Sequence, residues 1–498
     1  MNVNPITRLD YPDLDVIRVE DTYYMVSTTM HFMPGCEILQ SFDLVHWEHV
    51  TYVYETLDHT DAQQLKSGQN IYGQGMWAAS LRYHEGRFCI CFVANDTRKT
   101  YLYTSEKIDG PWKKQLIEGF YHDGSLLFDE DGRNYIVYGN DEIWITELNE
   151  DLTAPKKDGL HRLLVSDHKN PELGYEGSHI QKINGYYYIF LIHSLRDRWM
   201  RTEACFYSDS LEGEFTGGDV LCDDRGYCGQ GVAQGGIVDT PDGKWYAMLF
   251  QDSGAVGRIP ILLPVTWKDH FPFFGQNGHV PEEIEVHSTR PGYIYQPLVG
   301  SDDFCNGLLP RWQFNHDPDP RYYHLDALQG TYTITTREVC TELTQAVNTL
   351  TQRMSYPSCA AEVTVDASAL KEGDVAGLCA LQSCYAAVGI TKHHGKYEVL
   401  MLDKKEDGIL DMTEGTVVES HQMDFRLEAD FCNMKDEARC YYRVNKGDWL
   451  PIGTVHKLYF KLDHFTGCRF GLFCYAAEET GGCACFRDFK YYDVDEIS

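Results

Sequence analysis

The sequence predicts an all-β protein: a five-bladed β-propeller over residues 1–300, then an antiparallel β-sandwich over residues 301–498. Three observations carry this. A strand–turn–strand unit recurs five times in the first half of the chain. Long helical patterns are nearly absent, which removes α/β folds. The second half carries short strand-like runs at sandwich spacing.

The five units each place an aromatic or apolar run after a tight turn: Glu20–Val26, His84–Ile90, Glu130–Ile136, Ile183–Ile189 and Pro241–Ala247. Glycine supplies the positive φ in four of these turns, and Asp21 closes the first. Each turn follows another strand-like run: Val16–Val19, Ser80–Tyr83, Ser125–Asp129, His179–Ile183 and Gly236–Thr240. With Tyr24, Cys89, Tyr135, Tyr188 and Tyr246 taken as equivalent, the intervals are 65, 46, 53 and 58 residues. An all-β period of that size is one propeller blade per repeat.

The repeat singles out a set of side chains. Counting back 12 residues from the equivalent position reaches Trp77, Asp123, Glu176 and Gln234; the first turn reads as one residue shorter, and 11 reaches Asp13. In a propeller such positions face the central axis. Three of the five are carboxylates. Like charges held together raise one another's pKa, so stability alone does not gather them. Glycosidic hydrolysis needs such a group: a protonated acid for the leaving oxygen and an ionised base for water, with a third anion tuning the donor. The Trp77 indole offers a flat apolar face for a sugar ring.

Composition excludes other classes. The chain has 498 residues, is 43% hydrophobic and 24% charged, and carries 75 acidic against 43 basic side chains for a net charge of −32. That balance argues against nucleic acid or an anionic membrane as partner. No apolar run of membrane-spanning length appears. The 17 cysteines form no CxxC pair, and the start, MNVNPITRLD, carries no export pattern. Free thiols and a cytoplasmic location are expected. Cys89/Cys91 and Cys483/Cys485 read as pairs of core thiols, each on one strand face.

On these residues the chain resembles glycoside hydrolase family 43, in its two-domain β-xylosidase and α-L-arabinofuranosidase type. Asp10-Tyr11-Pro12-Asp13 resembles the family's base motif, Gly75–Ser80 its tryptophan motif, and Asp123–Phe128 its central aspartate motif. Glu176–His179 resembles the acid motif, and Gly257-Arg258 with Leu263-Pro264-Val265 the arginine segment. The resemblance implies Asp13 as general base, Asp123 as pKa modulator and Glu176 as general acid, with inversion at the anomeric carbon. Asp10 and Asp15 compete with Asp13; the blade count and the motif favour Asp13.

Candidate sugar-binding residues are Phe32, in a loop His31–Gly35 resembling a subsite wall, Trp77, Gln234 and Arg258. Leu14, Ala79, Gly124 and Ser178 replace prolines common in the family. Gln234 stands where many members carry a histidine near an axial metal ion, which speaks against an axial calcium.

Prolines and glycines from Trp267 to about residue 300 mark a linker. Sandwich strands are expected at Thr331–Thr336, Cys359–Asp366, Tyr397–Leu402, Phe425–Phe431, Cys440–Val444, Leu458–Leu462 and Arg469–Tyr475. The segments Asn348–Arg353 and Gly373–Leu378 resemble the concanavalin-A-like C-terminal domain of the same enzymes. No cofactor is implied for the chemistry; Asp302 and Asp488 are the candidates for a structural calcium. The expected activity is exo-acting release of xylose or arabinofuranose from small oligosaccharides, with neither nucleic acid nor membrane as partner. An endo-arabinanase competes, and the sandwich argues against it. A silent carbohydrate-binding protein also competes, and the presence of all three acids argues against that.

Overall fold

The structure, a computed structural model, describes residues 2–493. Five four-stranded antiparallel sheets follow one another along the chain. Their innermost strands are Asp15–Val19, Met76–His84, Ser125–Phe128, Glu176–Ile183 and Ala233–Asp239. Helix among the described residues is confined to four three-residue 3₁₀ turns, and none could cross a membrane.

Side-chain alternation builds the ring. In the strand Arg87–Ala94, Phe88, Ile90 and Phe92 pack toward the first blade, while Cys89 and Cys91 pack toward the third. In the next blade Ile136 faces back and Tyr135 and Val137 face forward. Both faces of each second strand are buried, so it reads as a continuous apolar run. Tyr24, Cys89, Tyr135, Tyr188 and Tyr246 all face the following blade.

The residue count differs in the first blade for two reasons: its turn is shorter than those of the third and fifth blades, which span Asp129–Arg133 and Thr240–Lys244, and it lacks a bulge found in the second and fourth. The first, second and fourth turns are all two residues long: Glu20-Asp21, Glu85-Gly86 and Asn184-Gly185. What the first blade lacks is a bulge on its inner strand, present between Met76 and Ala79 and between Glu176 and His179. Such a bulge adds one residue and re-aims the side chains before it.

The N-terminal segment closes the ring. The Asn4 side chain donates to Leu262 O at 2.8 Å and accepts from Leu262 N–H at 3.0 Å. Ile6 N–H donates to Pro260 O, and Tyr11 N–H to Arg258 O. Leu9, Tyr11 and Leu14 then fill the gap between the fifth and first blades.

The C-terminal part is a sandwich of two antiparallel sheets around one apolar core. Strands occupy Thr331–Thr335, Ser358–Asp366, Lys396–Lys404, Gln422–Asp430, Glu437–Arg443 and Arg469–Ala476, close to the expected runs. Leu458–Leu462 is not a strand. The strand there is Leu450–Lys457, and the chain then leaves the sheet. Leu458 is buried in the sandwich core, but Leu462 is exposed, because the segment turns toward the propeller.

Cys483 and Cys485 are also not core thiols. Ala484 and Phe486 take the inward positions of that strand, leaving both thiols half-buried on its outer face. Asp302 is spent on Phe304 N–H at 2.7 Å and Trp312 Nε1 at 2.8 Å, and Asp488 is exposed. Neither of these two candidates for a structural calcium belongs to a cluster of metal-ligating side chains among the described residues.

Propeller and sandwich share structure. Phe32–Met33 pairs with Gln313–Asn315 and becomes the edge strand of a sandwich sheet. Behind it, Glu37 of the first blade meets Arg353 of the sandwich at 2.8 Å, both buried. Burial alone would push Glu37 up, but Arg353 and the His49 hydrogen bond outweigh it and hold the carboxyl at about 2. Arg353 also stacks on Tyr11 at 4.1 Å and donates to Asp10 O at 2.9 Å.

Glu37→Gln leaves the Arg353 cation buried without its anion, which costs about 3–5 kcal/mol. The loss is expected in full at pH 7 by denaturant unfolding. It shrinks as pH falls from 4.5 toward 2, the window between the free and folded values of Glu37. A change within about 0.5 kcal/mol at pH 7 would make the pair a bystander.

Candidate active site

Asp13 and Asp123 each sit two residues before an innermost strand, in left-handed backbone with φ of 52° and 47°. Aspartate tolerates this region better than bulky residues do. Gln234 repeats the conformation at φ 62°. In the fourth blade the left-handed residue is Gly177, directly after Glu176. A Cβ on Gly177 would stand 2.8 Å from the Gln234 side chain. Glycine therefore lets the acid's backbone pass against the fifth blade.

Asp13 is buried and doubly held. Thr28 Oγ1 donates to one carboxylate oxygen at 2.7 Å, and Arg258 Nη1 donates to the other at 2.9 Å. Arg258 is 2% exposed and lies under the Phe465 ring, 4.3 Å from its centroid. Asp123 accepts from Gly177 N–H at 3.1 Å. Burial first, then the Glu176 and Asp13 charges, push Asp123 up to about 6 against the pull of His122. Glu176 is the most open of the three, its side chain 22% exposed, and accepts from Asn140 Nδ2 at 2.7 Å.

The rivals for the base are committed elsewhere. Asp10 bridges Arg258 N–H at 2.7 Å and Gly467 N–H at 2.8 Å, fastening the sandwich loop to the site. Gly257 is required there, because a Cβ would stand 2.3 Å from Asp10 Oδ1. Asp15 accepts from Leu81 N–H and Arg82, and Arg82 and His179 hold it at about 2 despite burial.

The sugar-binding candidates divide. Trp77 is half-buried and forms a wall with Phe465, the ring centroids 5.4 Å apart. Arg258 lies at the base. Gln234 packs beside Gly177, its N–H on Glu203 Oε2 at 2.7 Å. Glu203 is fully buried, and burial pushes it well above the usual carboxyl range. Phe32 corrects the expectation. Its ring is fully buried among sandwich residues such as Val375 and Leu381, with Arg469 over it at 3.5 Å. The edge-strand pairing of Phe32–Met33 carries it away from the funnel.

Sequence reasoning missed His122, Asn140, Glu203 and Phe465. His122 had one available signal: it immediately precedes the central aspartate. Its Nε2 lies 3.5 Å from Asp123 Oδ2 and 3.7 Å from Glu176 Oε2. Asp123 and Glu176 together hold its pKa up, at about 9. Ligand atoms of His122, Asp123 and Glu176 lie within 4.8 Å of one another, the one such set among the described residues. A cation there would tie up the exposed carboxylate best placed to meet substrate, and the imidazolium already balances the charge. The donors fit acid–base work, and we assign them no metal.

Residues 3–272 match the model of glycosyl hydrolases family 43. Residues 301–492 match the β-xylosidase C-terminal concanavalin A-like domain. A solved bifunctional GH43-CE protein of Bacteroides eggerthii superposes with TM-score 0.92 at 42% identity over 99% of this chain. This chain spans 64% of that protein's length. A β-xylosidase of Formosa agariphila is 26% identical over 99% of this chain and 89% of its own. A xylosidase/arabinosidase of Butyrivibrio fibrisolvens is 23% identical over 99% of both chains. With the family model covering more than half of it and the acids gathered at one end of the ring, the chain belongs to glycosyl hydrolases family 43 and is a glycosidase.

Proposed function

We propose that the protein is an exo-acting, inverting glycosidase that releases terminal β-D-xylose or α-L-arabinofuranose from short oligosaccharides. One observation carries the reading. Asp13 is held by an arginine on one side of the funnel, while Glu176 stands with Asp123 and His122 on the other, under the Trp77–Phe465 wall. Asp13, paired with Arg258 at 2.9 Å, takes a proton from water as the water attacks the anomeric carbon. Glu176 gives its proton to the leaving oxygen. Asp123 holds the Glu176 loop through Gly177 N–H and supplies the nearby negative charge.

The β-xylosidase and xylosidase/arabinosidase relatives support pentose as the released sugar. The exo reading rests on the sandwich. Its loop carries Phe465 against both Trp77 and Arg258, closing one side of the cleft. A cleft closed there suits a chain end. The same reading puts the enzyme in a reducing cytoplasm, where exposed thiols such as Cys222 and Cys228 stay unpaired.

Two measurements test the scheme. Proton NMR of an aryl β-xyloside digest is expected to show the α-anomer first; a β-anomer at first appearance would discard water activation by Asp13. Glu176→Gln is expected to lose about 10²–10⁴-fold on xylobiose but far less on aryl glycosides whose leaving groups need little protonation. Equal loss on both would remove Glu176 as the acid.

A further inference from the structure

The mechanism leaves one charged group at the reacting centre without a task. We propose that His122 is a positioning residue that, as an imidazolium, stabilises the carboxylate Glu176 becomes when its proton passes to the leaving oxygen. The inference rests on the glycosidase reading above and assigns a further residue to that reaction.

The geometry comes from four blades. His122 and Asp123 belong to the third blade, Glu176 to the fourth, Asp13 to the first, and Trp77 to the second, its ring 6.0 Å from that of His122. Gly139 N–H donates to His122 O at 3.0 Å and anchors the backbone. The His122 Nε2 is buried and makes no hydrogen bond of its own. It lies at 3.5 and 3.7 Å from the two acids, between them and bonded to neither.

Charge pairing separates its role from that of Arg258. Arg258 is paired with Asp13 at 2.9 Å. Among the described residues, no lysine or arginine forms an ion pair with Asp123 or Glu176; His122 is their one cationic neighbour. The polar contacts of those acids are otherwise neutral, Gly177 N–H and the Asn140 amide. Asp123, Glu176 and Asp13 are the acidic groups that face His122; Asp123 raises its pKa most, and Asp123 and Asp13 keep that pull when Glu176 carries its proton.

The balance of the step is explicit. The Glu176 O–H bond breaks and an O–H bond forms on the glycosidic oxygen. The C–O pair leaves with the alcohol. Water adds its oxygen to the anomeric carbon and its proton to Asp13. His122 keeps its proton throughout. Glu176 gains a negative charge during the step, and a fixed cation beside it lowers the energy of that change in a partly dehydrated site. Asp123 cannot do this, because its charge opposes a second anion.

His122→Gln keeps an N–H and removes the charge. Expected are a basic limb of kcat/KM about one pH unit higher and a loss of about 10–100-fold on xylobiose, with little loss on aryl xylosides bearing good leaving groups. In the Glu176→Gln background the substitution should add almost nothing. An unmoved limb with equal loss on all substrates overturns the proposal, since a merely structural histidine would behave that way. A second readout needs no substrate. NMR titration of labelled histidine is expected to find His122 protonated above pH 8 and to fall in Asp123→Asn; a midpoint at or below 6.5 overturns the role. Wild-type enzyme inactive on every pentoside would instead overturn the glycosidase reading itself, so the two failures are distinct.

Discussion

Three acidic side chains converge from the inner ends of the first, third and fourth blades, and two basic side chains stand among them. Arg258 fixes Asp13, and His122 stands between Asp123 and Glu176. The arrangement is also strained. Asp13, Asp123 and Gln234 share left-handed backbone, a cost that functional sites carry when the surrounding fold over-determines them. Here the surroundings are the blade interfaces, each filled by its own apolar cluster.

The sandwich belongs to the same argument. Asp10 ties the Arg258 backbone to Gly467, two residues from Phe465. Phe465 in turn covers the Arg258 guanidinium and meets Trp77. One carboxylate thus couples the partner of Asp13 to the wall of the pocket. The Glu37–Arg353 pair and the shared edge strand hold the domains in register behind it. The C-terminal domain acts as part of the active site through these contacts.

The fold and the acids were legible because both follow from strand pairing. A blade repeats its chain length, so equivalent residues fall at countable positions, and the count reached Asp13, Asp123 and Glu176. It did so because the first blade has neither the longer turn of the third and fifth blades nor the inner-strand bulge of the second and fourth, and each of these adds one residue to the count. Phe32 was not legible, because its partner strand Gln313–Asn315 lies in the other domain. The loop after Leu458 read as a strand because its apolar residues serve two domains. Asn140 carries no pattern of its own and His122 only its place before the central aspartate, and their proximity to Glu176 appears only once the fourth blade brings that residue beside them. Local sequence encodes the blade; the contacts between blades encode the chemistry.

The central claim is that Asp13 activates the water that attacks the sugar from the face opposite the leaving group. Asp13→Ala assayed with azide on an aryl β-xyloside tests it most directly, because azide attacks without a base. Recovery of rate with formation of the α-xylosyl azide is the predicted result. An unrescued variant, or a β-azide product, would contradict the account.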